Sequence, residues 1–324
     1  MTTLFIATTG GHLTQLDNLA GRISANGESV WVTHANEQSR SMLADREVEF
    51  VPYVGVRSVP DVLRCIPDAR RLMERRKLTR AVSTGSGIAL GYLPYLAARG
   101  VECHYIESAT RVSAPSLTGR VLQWVPGVRT YTQYPQWADR SWEYAGSVFD
   151  GYEPATLARA PTAVVRVVVT VGAATEYPFR RLFEHLVPQL APTGALAEAT
   201  GLPVEVLWQT GDTPVGDLPI QATPVLPAAK LAAALREADI VISHAGTGSA
   251  LAALDAGRYP ILAVRDPARG EQVDDHQHQL ATELARRGLA LHRDPNAITT
   301  NDMLQTLQTS IRRTASPPPF ALRP

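Results

Sequence analysis

Ile242-Ser243-His244-Ala245-Gly246-Thr247-Gly248-Ser249, preceded by Asp239-Ile240-Val241 and followed by Ala250-Leu251-Ala252-Ala253-Leu254, is the stretch that decides the fold. A β-branched apolar run enters a turn of small residues and leaves as an apolar helix, which is the strand–turn–helix step of a parallel sheet. Small residues and hydroxyls at a helix start offer backbone N–H and O–H donors to an anion such as a diphosphate. No Lys follows the glycine and the spacing is not the dinucleotide fingerprint, so this is neither a P-loop nor an NAD motif. Taken alone it is an anion site of a kind shared by many unrelated folds.

Working outward, the same alternation fills the C-terminal half. Val164–Val171, Val204–Trp208 and Ile261–Val264 read as further strands, with helices at Ala228–Arg236 and Asp275–Arg287. The N-terminal half repeats it. Strands are expected at Leu4–Thr8, Val30–Thr33, Val48–Val51, Ala81–Thr84 and Cys103–Ile106. Helices are expected where Leu13, Leu16, Leu19 and Ile23 recur, and over Ile88–Ala98. Between the halves, Asp150 to Pro161 breaks the pattern. The chain therefore divides into an N-terminal Rossmann-like domain at 1–150, a linker at 151–163, a C-terminal Rossmann-like domain at 164–316 and a loose Pro-rich tail at 317–324.

Whole-chain numbers narrow the partners. Of 324 residues 19% are charged and the formal net charge is +0, which argues against wholesale nucleic-acid binding. Cys65 and Cys103, the two cysteines, read as small buried hydrophobes. The N-terminus lacks the charged region and cleavage site of a signal peptide, and no uninterrupted apolar run reaches the length of a bilayer span. A cytoplasmic protein is expected, free or peripheral on the inner face of the membrane.

Three glycine-rich or polar turns are candidate sites. In Gly10-Gly11-His12 the histidine stands at a helix start, where the dipole disfavours its protonation and leaves it able to accept a proton from a hydroxyl. It would serve equally as a structural cap. The second site is Ser243–Ser249 itself. The third, Gly270-Glu271-Gln272-Val273-Asp274-Asp275-His276-Gln277, crowds polar groups at a helix start with Asp275 placed to cap it, and no metal-ligand spacing emerges from it. The basic stretch Arg64, Arg70, Arg71, Arg75, Arg76, Lys77 and Arg80 alternates with Leu63, Ile66, Leu72, Met73 and Leu78. It reads either as a surface against anionic lipid or as a solvated helix face.

Together these segments resemble a known family across most of the chain. The N-terminal half resembles the acceptor-side subunit of the two-part N-acetylglucosaminyltransferase of dolichol-linked glycan synthesis, through Gly10-Gly11-His12, Thr84-Gly85-Ser86-Gly87, Ile106–Val112, Ser116–Arg120 and Gln133-Tyr134-Pro135. The C-terminal half resembles the nucleotide-side subunit, through Val169–Gly172, Pro178–Leu182, Ser243–Ser249 and Asp275-His276-Gln277. The chain thus looks like a natural fusion of the two subunits, with MurG-like, family-28-type glycosyltransferases as more distant relatives. Family members often carry a glutamate for the ribose where this chain has Ala252. Bacterial capsule and exopolysaccharide transferases also lack it and carry a run like Arg265 with Gly270–Gln277, so Glu271 or Asp274 would take the ribose.

The resemblance implies an α/β GT-B fold, two Rossmann-like parallel-sheet domains facing a cleft, and an inverting glycosyltransferase that needs no metal or other cofactor. A UDP-sugar donor would be held by Gly10, Gly11, Gly172, His244, Gly246, Thr247, Gly248, Ser249, Glu271, Asp274, His276 and Gln277. His12 would be the base, or Glu107 in its place. The acceptor would be a lipid-linked saccharide or a soluble small molecule, with peripheral membrane contact through Arg64–Arg80. A nucleotide-sugar 2-epimerase and a non-catalytic UDP-sugar-binding protein are the other readings this architecture admits.

Overall fold

β1 (Thr2–Ala7) is buried along its whole length, which suits a central strand of a parallel sheet covered on both faces. Around it the computed structural model, which describes residues 2–23, 27–55, 58–156, 161–172, 177–272 and 274–323, builds the first of two units, Met1–Gly151 with Ser316–Pro324. After β1 come α1 (Gly11–Ala20), β2 (Glu28–His34), α2 (Glu37–Met42), β3 (Val48–Val51) and α3 (Val59–Arg75). Next are β4 (Leu78–Gly85), α4 (Gly87–Ala97), β5 (Glu102–Ile106), α5 (Leu117–Leu122), β6 (Val128–Thr132) and β7 (Trp142–Tyr144). The sheet order is β3-β2-β1-β4-β5-β6-β7, all parallel. Leu4, Ile6, Val30 and Val32 pack beneath Cys65, Ala69 and Leu72 of α3 and Ile88, Tyr92 and Leu96 of α4 in one core.

The second unit, Tyr152–Ala315, repeats the plan. Its elements are β8 (Tyr152–Thr156), β9 (Val165–Thr170), α6 (Arg180–Gln189), α7 (Ala195–Thr200), β10 (Val204–Gln209), β11 (Ala222–Thr223) and α8 (Ala228–Glu237). They continue with β12 (Ile240–His244), α9 (Thr247–Asp255), β13 (Ile261–Ala263), α10 (His276–Arg286), β14 (Leu291–Arg293), α11 (Thr300–Thr306) and β15 (Thr309–Arg313). A parallel sheet runs β11-β10-β9-β12-β13-β14, and β15 pairs antiparallel with β8. In both units the strand order reverses beside the first strand of the main sheet, at β1/β4 and at β9/β12. Ligands of open α/β sheets collect at such switch points, outside the carboxyl ends of the strands.

Two expectations need correction. Tyr152–Thr156, placed in the linker, is a strand: it pairs with β15, and the Tyr152 hydroxyl donates to Asp255 while Arg313 lies over its ring. The pairing partner lies more than 150 residues away, so no local pattern announces it. Nor is the tail loose. Phe320 is buried, its N–H donates to the Arg22 carbonyl, and Ala321 N–H donates to the Ala145 carbonyl. Residues 157–160 of the expected linker, Val273 of the polar run and Pro324 of the tail lie outside the described residues.

The basic stretch also resolves differently. It is not one helix, since α3 ends at Arg75 and Leu78 and Arg80 belong to β4. Leu72 and Leu78 are core, whereas Leu63 and Ile66 are exposed. Arg64, Arg70, Arg71, Arg75 and Arg76 pair with Asp61, Glu74, Asp68, Glu49 and Glu47. No helix among the described residues is long and apolar enough to cross a membrane.

Candidate active site

In the first unit β1 delivers the chain into Gly10, whose φ of +84° precedes the first turn of α1. His12 sits half-buried one residue into that turn, and its Nδ1 lies 2.6 Å from the Thr84 carbonyl at the end of β4. A carbonyl only accepts, so Nδ1 carries the proton and Nε2 keeps the lone pair. The Thr84 hydroxyl donates back to the His12 carbonyl at 2.8 Å. Burial holds the His12 pKa below its usual value, the Thr84 hydrogen bond opposes this, and the charge of Arg111 lowers it further. The result is a fixed, neutral imidazole at the β1/β4 switch point. Thr8 and Ser86 hydroxyls, 3.2 Å apart, line the same turn.

Glu107 directly follows β5 and is built in differently. It is 1% exposed, and Oε1 accepts from Ser108 N–H at 2.9 Å and the Tyr105 hydroxyl at 3.2 Å. Oε2 accepts from Ser116 N–H at 2.8 Å and the Ser116 hydroxyl at 2.9 Å. Burial pushes its pKa up and these hydrogen bonds pull against it. Every donor belongs to the protein, so the carboxylate fastens the 107–116 loop to the end of β5 and presents no oxygen to an incoming hydroxyl. Gln15, which the sequence did not flag, links the two features: it donates to Ser108 Oγ at 3.2 Å and accepts from Ala109 N–H at 2.7 Å and Gln133 Nε2 at 3.2 Å. Its only sequence signal is its place one turn after Gly11, whose carbonyl it also caps at 3.1 Å.

In the second unit β12 ends at His244 and α9 starts at Thr247. The ring of His244 fills the space between two glycine turns. A Cβ on Gly246 would fall 2.3 Å from its Nε2, and one on Gly172, at φ +72°, would fall 2.7 Å from its Cε1. Glycine at both positions is therefore required by the close approach. The Ser249 hydroxyl is 3.4 Å from Nδ1. Burial, then the charges of Arg265 and His276, hold the His244 pKa down to about 3. Gly246 is the residue before α9, Gly248 is the second residue inside it, and no side chain caps the helix. Thr247 is 4% exposed and its hydroxyl has no partner among the described residues. A buried, unsatisfied hydroxyl at an open helix N-terminus is a place a ligand oxygen would complete.

The third run folds against this site, though not as expected throughout. Glu271 is 7% exposed, and its carboxylate is taken by Arg181 Nε at 2.8 Å and Asp266 N–H at 2.9 Å. It is thus committed to a buried ion pair. Asp275 stands at the cap of α10, yet its side chain makes no capping bond. Asp274 does so instead, accepting from His276 N–H at 3.3 Å and pairing with the His276 ring. Gln277 is buried, and its Oε1 lies 3.4 Å from Arg265 N–H. Among the described residues no group of three or more His, Cys, Asp or Glu side chains could hold a metal ion.

Comparison with known proteins bears on the fold and on the C-terminal half. Residues 166–314 match the glycosyltransferase family 28 C-terminal domain. A UDP-N-acetylglucosamine transferase subunit, ALG13 of Yarrowia lipolytica (strain CLIB 122 / E 150), is 44% identical over 57 residues. That alignment covers 18% of this chain and 27% of the relative. Among solved structures, MurG of Acinetobacter baumannii matches 94% of this chain and 89% of its own, with a TM-score of 0.56 at 19% identity. SnogD, a glycosyltransferase of Streptomyces nogalater, matches 95% and 91%, with a TM-score of 0.54 at 17% identity. The chain accordingly has the α/β two-domain GT-B fold, and its residues 166–314 are similar to a glycosyltransferase family 28 C-terminal domain.

Proposed function

We propose that the protein is an inverting glycosyltransferase in which the second unit holds a UDP-sugar and the first unit activates the acceptor. The observation that carries this reading is the β9/β12 switch point. There the Gly172 and Gly246 turns, His244 and the unsatisfied Thr247 hydroxyl meet at the open N-terminus of α9. Backbone N–H groups and the helix dipole there suit a diphosphate and the charge it gains on departure, so the proposed chemistry calls on no metal ion.

In the proposed step His12 Nε2 removes the proton from an acceptor hydroxyl. The oxygen forms a bond to the anomeric carbon as the bond to the diphosphate breaks, and UDP leaves with the electron pair. Attack opposite the leaving group inverts that carbon. Glu107 positions the 107–116 loop and takes no proton. Of the two acids considered for the ribose, Asp274 is the candidate, since Glu271 is occupied by Arg181.

The resemblance to a fused two-subunit enzyme, and to bacterial polysaccharide transferases, favours a lipid-linked saccharide acceptor at the inner face of the membrane. Exposed Leu63 and Ile66 on α3, and Leu117, Val121 and Trp124 on and just after α5, support a peripheral contact. The arginines of α3 are paired with carboxylates, so apolar insertion rather than net charge would drive it. The test is incubation with UDP-sugars and either a polyprenyl-pyrophosphate saccharide or soluble aglycones, with the anomeric product read by NMR. Transfer to the lipid-linked acceptor with inversion supports the reading. Transfer only to soluble acceptors moves the chain to small-molecule tailoring, and absence of UDP binding ends the donor assignment.

A further inference from the structure

Arg265 follows β13 by two residues and is 3% exposed. Its guanidinium donates to three main-chain carbonyls from three separate segments: Val171 at 3.3 Å, Glu271 at 3.4 Å, and Tyr177. The plane lies over the Phe179 ring at 5.2 Å. Its Nε is buried and has no hydrogen-bond partner among the described residues. No carboxylate forms an ion pair with it there either, because the Glu271 carboxylate is occupied by Arg181. A buried cation that meets only neutral carbonyls is costly unless an anion completes it.

Its surroundings say where that anion belongs. The Val171 carbonyl it holds immediately precedes Gly172, and Gly172 is one of the two glycines closing on His244. The other, Gly246, leads into the open N-terminus of α9, where Thr247 Oγ1 is likewise without a partner. One unsatisfied polar group thus lies beside each of the two glycine turns that close on His244. Burial pulls the Arg265 pKa down to about 10, with the nearby Glu271 charge opposing, so the group remains a cation at neutral pH.

We propose that Arg265 is a positioning residue of the donor site: it holds the Gly172 turn against His244 and supplies the buried positive charge that a nucleotide diphosphate completes. This rests on the donor reading above. It assigns to Arg265 a role separable from packing, because a diphosphate senses the charge and a neutral nucleoside does not.

The experiment is calorimetric titration of UDP and of uridine into the wild-type protein, Arg265→Met and Arg265→Lys, each repeated across pH. In wild type, UDP must bind more tightly than uridine; equal affinities would sink the donor reading before any variant is considered. Arg265→Met is expected to weaken UDP about tenfold or more while uridine changes by less than about threefold. It should also move the protonation of His244 to higher pH, since a neighbouring cation has gone. Equal loss for both ligands, or no loss for UDP, overturns the proposal. Should the methionine variant fail to fold, Arg265→Lys decides, because it keeps the charge and loses the three-way fork. There the UDP-to-uridine affinity ratio is expected to stay within about threefold of wild type, and a tenfold fall refutes the charge assignment.

Discussion

Replacing Glu107 by glutamine separates a structural carboxylate from a catalytic one. The side chain keeps its shape, but one oxygen becomes an NH₂ group. Both oxygens now accept from rigid donors: Ser116 N–H at 2.8 Å with its hydroxyl at 2.9 Å on one side, Ser108 N–H at 2.9 Å on the other. Neither backbone N–H can turn away, so whichever way the amide lies, an N–H faces an N–H. The loss is one charge-assisted hydrogen bond, about 1.5–3 kcal/mol, plus the desolvation of a stranded donor, about 1–3 kcal/mol. Relief of the buried charge, which holds the Glu107 pKa up, offsets part of it. A net destabilisation of about 2–4 kcal/mol is expected, or a fall in Tm of about 5–15 °C for a domain of this size. The assay is thermal unfolding followed by near-UV circular dichroism, with turnover measured at a temperature where the variant stays folded. Ser116→Ala and the double variant close a cycle, whose coupling energy should be non-zero because the two groups touch. A wild-type Tm with turnover abolished would refute this account and return Glu107 to the role of base.

The remaining predictions address the other groups. His12→Ala should abolish turnover with UDP affinity intact, measured by kcat and calorimetry. Arg111→Met should move the acid limb of the kcat/KM profile to higher pH, because the Arg111 charge lowers the His12 pKa and its removal lets His12 protonate earlier. Gly246→Ala is tolerable for its backbone at φ −86° but sets a methyl 2.3 Å from the His244 ring; UDP affinity should fall about tenfold or more, seen by calorimetry with the fold checked by circular dichroism. Phe320→Ala, at a side chain 2% exposed, should cost about 3–5 kcal/mol in denaturant unfolding.

Much of this was legible because it is local. Strand, glycine turn and helix are adjacent in sequence, so β1 with Gly10–His12 and β12 with Gly246–Ser249 could be read from apolar runs and small residues alone. What escaped is what depends on pairing across distance. β8 finds its partner at β15, and Phe320 returns to pack beside Arg22 and Ala145. The family resemblance offered Glu271 as one of two ribose ligands, and no local pattern announces that its carboxylate is paired with Arg181, 90 residues away. Asp275 and Asp274 exchange roles at the start of α10 for a subtler reason. Asp275 lies in a near-helical conformation at φ −86° and ψ 14°, not the extended one from which a cap usually reaches its donors.

The two switch points share a design that differs in one respect. In each, an imidazole ends up uncharged at the carboxyl end of a parallel sheet, beside a glycine turn and near an arginine: His12 with Arg111, His244 with Arg265. At His12 the ring's Nδ1–H is spent on a backbone carbonyl 2.6 Å away, which leaves Nε2 as a lone pair without a partner among the described residues. That is the arrangement a proton acceptor needs. At His244 the ring is wedged between Gly172 and Gly246, its pKa is driven down to about 3, and the Nε of the nearby Arg265 is buried with no hydrogen-bond partner among the described residues. A group so hard to protonate is a poor base at neutral pH, whereas a neutral ring beside an unmatched positive charge accommodates an anion. The proposed division of labour, proton removal at His12 and diphosphate binding at His244, rests on those two environments. Exchanging the residues that set them, Arg111 and Arg265, for methionine should therefore perturb different observables: the pH profile of turnover in the first case, and the preference for UDP over uridine in the second. If both variants changed the same observable by the same amount, the assignment of separate roles would fail.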